Sequence, residues 1–248
     1  MRRFFFPNNP LDVPVVRLTD PKEIHHLKDV LRLKKEDQIR IFNDQGKEIV
    51  GTILNLSQNL LEVRIDYTQP EKKKKKFHLS LACAIPKKAK FELILEKCTE
   101  LGVDEFFPLL TARTESNLSE ERSQKKVRRY EQVVINACKQ SGRTDIQVVH
   151  SMTKFSELFK ITPCETLKLI ACLAGERKNL KAVIKETHRC PVLLIIGPEG
   201  DFTDEEVKSA IKLGSIPISL GTNVLKVDTA AISACSFTAL YLDHDQNH

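Results

Sequence analysis

No stretch of this 248-residue chain approaches the roughly 20 consecutive apolar residues of a membrane-spanning helix. The N-terminus, MRRFFFPNNP, is basic and then aromatic, and its apolar part is far too short for a secretory signal. Cys-x-x-C spacing is missing too. The seven cysteines (Cys83, Cys98, Cys138, Cys164, Cys172, Cys190 and Cys235) are odd in number and sit mostly in apolar segments. They read as small buried hydrophobes in a reducing cytoplasm, so a cytoplasmic location is expected. No metal site is expected: His25 and His26 are adjacent, and His244 and His248 lie in a polar tail. Neither G-x-G-x-x-G nor G-x-x-x-x-G-K-[ST] occurs, which argues against a phosphate-cradling loop. Internal repeats are also absent.

What is present begins with residues 191–196, PVLLII, an apolar run without alternation. Such a run reads as a strand buried on both faces of a parallel sheet. It stops at Gly197-Pro198-Glu199-Gly200-Asp201-Phe202. Thr203 and Glu206 then have capping-box spacing, and Gly214 stands where a helix-ending glycine is expected. A strand, a stiff loop and a helix in that order place the loop where open α/β sheets bind ligands. Glu199 would repel a phosphate, so the expected ligand is neutral or cationic.

Charge is unevenly distributed. Residues 71–150 hold 17 Lys/Arg against 11 Asp/Glu, whereas residues 1–70 hold 11 against 10 and residues 151–248 hold 11 against 12. The net charge of +6 therefore resides in the middle third. It includes the lysines at 72–76, Lys87, Lys88, Lys90, Arg113, Arg122, Lys125, Lys126, Arg128, Arg129, Lys139 and Arg143. A local basic surface suits a polyanion, nucleic acid first, although Glu120, Glu121 and Glu131 interleave as they would on a solvated helix.

The pattern changes once along the chain. Residues 38–42, 48–54 and 60–67 are short β-prone runs separated by turn residues, with one helix expected at 22–31; this spacing suggests a small barrel over residues 1–70. Pro70 and residues 71–76, with lysines at 72–76, read as a basic linker. Beyond it, strands at 77–85, 106–110, 146–149, 167–173, 191–196 and 216–220 alternate with helices. The helices are expected at 87–101, 119–141, 153–159, 180–186, 203–213 and 228–242. Alternation of this kind implies an α/β domain over 77–248 with a mostly parallel, two-sided sheet.

Six segments, in order along the chain, resemble the RsmE family, whose members methylate N3 of a uridine in small-subunit (16S) ribosomal RNA and belong to the SPOUT superfamily. They are Arg2-Arg3-Phe4-Phe5, His25-His26-Leu27-Lys28-Asp29-Val30-Leu31-Arg32, Glu96-Lys97-Cys98-Thr99-Glu100-Leu101-Gly102-Val103, Ala137-Cys138-Lys139-Gln140-Ser141-Gly142-Arg143, Gly197-Pro198-Glu199-Gly200 and Leu220-Gly221-Thr222-Asn223-Val224-Leu225-Lys226-Val227-Asp228-Thr229-Ala230. The resemblance implies an N-terminal PUA-like β-barrel that binds RNA, a C-terminal α/β trefoil-knot domain and a homodimer. It also implies S-adenosylmethionine (SAM) as cofactor, held largely by backbone groups of Leu173, Ala174, Ile196, Gly197, Pro198, Glu199, Gly200, Leu220, Gly221, Val224 and Leu225. The implied substrate is 16S rRNA within the assembled small subunit.

Methylating uracil N3 requires loss of an imide proton from an unpaired base and stabilisation of charge on two flanking carbonyls. Arg143, Lys226 and Arg113 are the candidate donors, with Asp228 as base or as an orienting carboxylate. Arg2, Arg3, Arg32, Arg113, Gln140 and Arg143 are the expected RNA contacts. The chain departs from the family where Asp201 replaces a glycine, Lys226 an arginine and Asp228 a glutamate. Two readings compete with the enzyme: a non-catalytic RNA-binding protein that keeps the fold, and a SPOUT methyltransferase with another RNA target.

Overall fold

The computed structural model describes residues 2–70, 75, 77–86, 90–114, 119–186 and 190–244. Most of the expected linker, together with Lys87 and Lys88, lies outside the described residues. The chain forms two compact units, Met1–Lys73 with Cys138–Ile146, and Lys74–Ala137 with Gln147–His248. The segment Cys138–Ile146 thus clusters with the first unit, whereas the alternating pattern assigns all of 77–248 to the second domain.

In the first unit, β1 (Arg3–Phe5), β2 (Val15–Leu18), β3 (Gln38–Phe42), β4 (Glu48–Leu56) and β5 (Leu61–Thr68) form one sheet in the order β1-β3-β4-β5-β2. Its inward residues, among them Phe4, Leu18, Ile41, Ile53 and Val63, enclose a core together with Ile24 and Leu27. The helix expected at 22–31 is present in two parts, Pro21–His25 and His26–Val30. α1 (Pro21–His25) starts where the Asp20 carboxylate accepts from the N–H groups of Lys22 and Glu23. It then widens into a π-helical turn, His26–Val30, closed by the Leu31 N–H on the His26 carbonyl at 2.9 Å. That wider turn leaves Leu27 buried and Val30 exposed.

Strands β1 and β2 carry too few residues for a readable period. β1 matters because it holds Arg3 inside the unit. The Arg3 guanidinium makes a bidentate pair with Glu48 at 2.9 and 3.1 Å and donates to the Cys138 carbonyl at 2.7 Å. Both charged side chains are under a tenth exposed. Arg3 is therefore an internal strut, and the expected Arg3–RNA contact has no free guanidinium edge to use.

In the second unit the elements are β6 (Leu79–Ala84), α2 (Lys90–Glu100), β7 (Glu105–Leu110), α3 (Glu120–Ser141), β8 (Val148–Val149), β9 (Thr153–Lys154), α4 (Phe155–Ile161), β10 (Leu167–Ala171), β11 (Lys178–Asn179), α5 (Leu180–Lys185), β12 (Val192–Ile196), α6 (Asp204–Lys212), β13 (Ile216–Ser219) and α7 (Val227–His244). The last four residues of α3 belong to the first unit. The sheet runs β11-β13-β10-β12-β6-β7-β8, with β9 also on β7, and all its ladders are parallel. β12 is central, and its five residues are all at most 2% exposed. Burying that many Val, Leu and Ile side chains contributes about 1.5–3 kcal/mol apiece, which makes β12 the firmest platform in the unit.

Candidate functional site

Strands β13, β10 and β12 are neighbours, and their registers align Ile218 with Ala171 and Ala171 with Ile196. Three parallel strands therefore end in one row, and their three following loops rise together. Between them lies a cavity of about 240 Å³ whose floor includes Ala171, Ile196, Ile218 and Ala230.

The second of these loops in chain order follows β12. Gly197 is held against the Phe202 ring so closely that a Cβ would stand 3.0 Å from two ring carbons. Phe202 is 4% exposed and packs on Phe155 at 5.2 Å between centroids, so the ring has little room to yield. The Asp201 N–H donates to the Pro198 carbonyl at 3.0 Å, and Asp201 adopts φ +62°. That left-handed backbone is the one a glycine enters freely; aspartate is among the few side chains that tolerate it. The Asp201 carboxylate accepts the Leu173 N–H at 2.8 Å and so ties the first loop to the second. On the far side Arg113 donates to the Gly200 carbonyl. α6 carries the expected capping box: Thr203 and Glu206 exchange bonds at 2.9 and 3.2 Å, and Glu206 also accepts the Ala112 N–H at 2.8 Å.

The loop after β10 is braced by Arg177, which donates to the Cys172 carbonyl at 3.1 Å. In the loop after β13, the Ser219 hydroxyl bonds both the N–H and the carbonyl of Gly221, at 3.3 and 3.0 Å, and Gly221 takes φ +135°. The cavity is lined by apolar residues and the glycines Gly197 and Gly221, with two carboxylates (Glu199 and Asp201) and two cations (Arg177 and Lys226) among them. Burial pushes the Cys83 thiol beneath this region well up, and the neighbouring Cys98, Glu199 and Asp228 add to that shift.

Of the residues expected at the cofactor, Leu173, Ile196, Gly197, Pro198, Glu199, Leu220, Gly221, Val224 and Leu225 line the cavity, as does Lys226. Ala174 and Gly200 are exposed beside it and are not part of its wall. Asp228 lies in the first turn of α7, 3.3 Å from the Lys90 ammonium. Burial works against its ionised form, but backbone N–H groups and Lys90 outweigh that and hold its carboxyl below the ordinary 3.8. Arg143 belongs to the first unit, where its guanidinium pairs with Asp145. Gln140 is exposed on the last turn of α3 in that unit, and Arg2 and Arg32 are exposed as well. The cavity is also lined by residues not expected at the cofactor, among them Cys172, Arg177, Asp201, Ser219 and Asn223; reading the loop after β10 through to its next element would have included Arg177.

Residues 73–239 match the RNA methyltransferase domain, and residues 18–66 match the RNA methyltransferase PUA domain. A ribosomal RNA small subunit methyltransferase E from Synechocystis is 33% identical, over 84% of this chain and 67% of its own length. The chain belongs to the ribosomal RNA small subunit methyltransferase E family. Two solved structures extend the likeness to the fold. A methyltransferase from Legionella pneumophila in complex with bound SAM is 30% identical, covers 96% of this chain and 97% of its own, and has a TM-score of 0.88. The ribosomal RNA small subunit methyltransferase E of Neisseria gonorrhoeae bound to SAM is 25% identical, covers 97% and 98%, and scores 0.85. The RsmE resemblance of the six motifs is therefore a family membership, with a PUA domain and an α/β methyltransferase domain. No described helix is long and apolar enough to cross a membrane, and no described cluster of His, Cys, Asp and Glu could hold a metal ion.

Proposed function

We propose that this chain methylates N3 of a uridine in 16S rRNA, using SAM bound in the cavity at the ends of β10, β12 and β13. The observation that carries this is the alignment of three parallel strand ends on one largely apolar cavity lined also by Glu199 and Asp201. The donor set fits the cofactor: apolar floor and backbone groups suit a neutral base, and a carboxylate suits a cationic sulfur. SAM supplies, when bound, an electrophilic methyl group on a sulfonium.

Lys226, exposed at the rim, supplies positive charge for the oxygens of the deprotonated uracil. Arg113 acts by holding the Gly200 loop. Arg143 and Gln140 meet the RNA from the first unit, together with Arg2 and Arg32. Asp228 orients the start of α7 and Lys90, and a carboxyl held below 3.8 is too weakly basic to be the main acceptor of the imide proton at neutral pH. The chain works as a homodimer on the assembled small subunit, with exposed Leu173 and Val224 covered by the second copy. The trefoil knot of the family belongs to the same reading.

Asp228→Asn tests the assignment of the base. Its folded carboxyl is depressed, so any stability it adds is present above its unfolded pKa and is lost only as pH falls through the lower folded value. Between about pH 6 and 9 it stays ionised. Asp228→Asn is therefore expected to lower kcat about tenfold while the rise of rate with pH keeps its shape. A pH–rate profile that goes flat in the variant would make Asp228 the base.

The function itself is tested with tritiated-methyl SAM and small ribosomal subunits lacking the N3-methyluridine. Label in 16S rRNA, mapped to one N3-methyluridine by mass spectrometry, is the expected result. Failure to bind SAM by titration calorimetry, or label on another base, would overturn it.

A further inference from the structure

A second cavity, of about 490 Å³, lies wholly within the first unit. It is bounded by the turn between β3 and β4, the end of β5, and Gly142 and Thr144. Its chemistry differs from that of the SAM site. Arg40 and Lys47 line it, with Gln45, Gln69 and Thr144, and so does Glu48, whose carboxylate is taken up by Arg3. Arg3 borders it too but is committed to Glu48 and to backbone carbonyls.

Arg40 is differently placed. Its closest approach to Glu48 is 3.9 Å, beyond hydrogen-bond range, and its Nε is buried with no partner. Its side chain is nonetheless 39% exposed, so the guanidinium head is available to an incoming acceptor. Lys47 shares its charge with the exposed Asp12. The turn that presents Gln45 and Lys47 is already ordered. Asn43 is 1% exposed, its Oδ1 accepts the N–H groups of Gln45 and Lys47 at 3.1 and 3.0 Å, and Gly46 takes φ +79°. Pre-ordering of this kind lowers the entropic cost of binding.

We propose that this cavity is a nucleotide pocket that receives one unpaired nucleotide of the RNA substrate, outside the base that is methylated. The proposal rests on the RNA methyltransferase reading above. The phosphodiester lies against Arg40 and Lys47, and the amides of Gln45 and Gln69 meet the base edge, as single-stranded RNA is commonly read. One guanidinium and one shared ammonium hold a free phosphate weakly. They suffice where the rest of the strand is bound elsewhere on the protein and raises the local concentration.

The test uses the full chain and a fluorescein-labelled single-stranded oligoribonucleotide, followed by anisotropy across a salt series. Arg40→Gln with Lys47→Ala is expected to weaken binding about tenfold and to reduce the slope of log K against log salt by about one to two. Gln45→Ala with Gln69→Ala keeps every charge; it is expected to weaken binding about threefold at unchanged slope. Gln45 is exposed on its turn, so this second pair stays informative where Arg40→Gln disturbs the barrel. Millimolar inorganic phosphate is expected to leave RNA binding intact. Wild-type affinity and slope in both pairs would overturn the pocket, as would full competition by phosphate, which would leave only an anion site. The two readings fail separately. A protein that binds RNA through these residues but transfers no methyl keeps the pocket and loses the enzyme; one that methylates with RNA binding unchanged in the variants does the reverse.

Discussion

Gly51→Ala is expected to lower the unfolding midpoint of the first unit by roughly 15 °C, a loss of about 3 kcal/mol at the top of the range for overpacked cores. Gly51 lies in β4, paired with Ile39 of β3 on one side and Ile65 of β5 on the other, beside a register shift. A Cβ there would stand 2.5 Å from Val63 Cγ1 and 2.6 Å from the Arg64 carbonyl oxygen. The second contact decides the size of the effect. A side chain can change rotamer, but this carbonyl belongs to a strand hydrogen-bonded to β4, and moving it opens the ladder. SAM affinity, which depends on the second unit, is expected to stay within about twofold, so calorimetric unfolding and SAM titration together separate a local barrel defect from general misfolding. An unchanged midpoint would mean that β4 and β5 slide apart at little cost.

The strand–loop–helix at residues 191–214 was legible because each part is dictated locally. An apolar run without alternation has to be covered on both faces, Thr203 and Glu206 satisfy helix-start N–H groups through their own side chains, and Gly214 ends α6 at φ +86°. The basic middle third was legible only as charge. In the structure Lys139 pairs with Glu23, Arg129 with Glu92 and Arg143 with Asp145, so part of that surplus serves ion pairs. What stayed hidden depends on residues far apart in the chain. Arg3 meets Glu48 and Cys138 across 45 and 135 positions, and no periodicity records such a contact. The same holds for the membership of Cys138–Ile146 in the first unit. Family motifs mark two of the three loops around the cavity, those after β12 and β13; Asn223 lies inside one of these motifs without a role of its own, and Arg177 lies in the loop after β10, which no motif covers. Asp201 was visible as a departure from the family, but its consequence was not. A sequence shows that a glycine is missing and says nothing of the N–H 28 positions away that the new carboxylate accepts.

That carboxylate gives the other large effect. Asp201→Ala keeps the left-handed backbone without the bond to the Leu173 N–H. A hydrogen bond to a charged acceptor contributes about 1.5–3 kcal/mol. Removing it frees the loop after β10, so SAM affinity is expected to fall roughly 30-fold, which corresponds to about 2 kcal/mol. Asp201→Asn retains an acceptor and tolerates φ +62°, and is expected to bind within about threefold of the wild type. Asp201→Gly separates the two terms. It removes the anchor but also a left-handed strain of about 1 kcal/mol, so it should melt higher than Asp201→Ala while binding SAM as poorly. Titration calorimetry and thermal melts of the three variants read these quantities directly. If Asp201→Ala bound SAM like the wild type, the carboxylate would be a passive replacement of the glycine. If the expected order holds, this chain has exchanged backbone freedom at that position for a side-chain tie between two walls of its cofactor site.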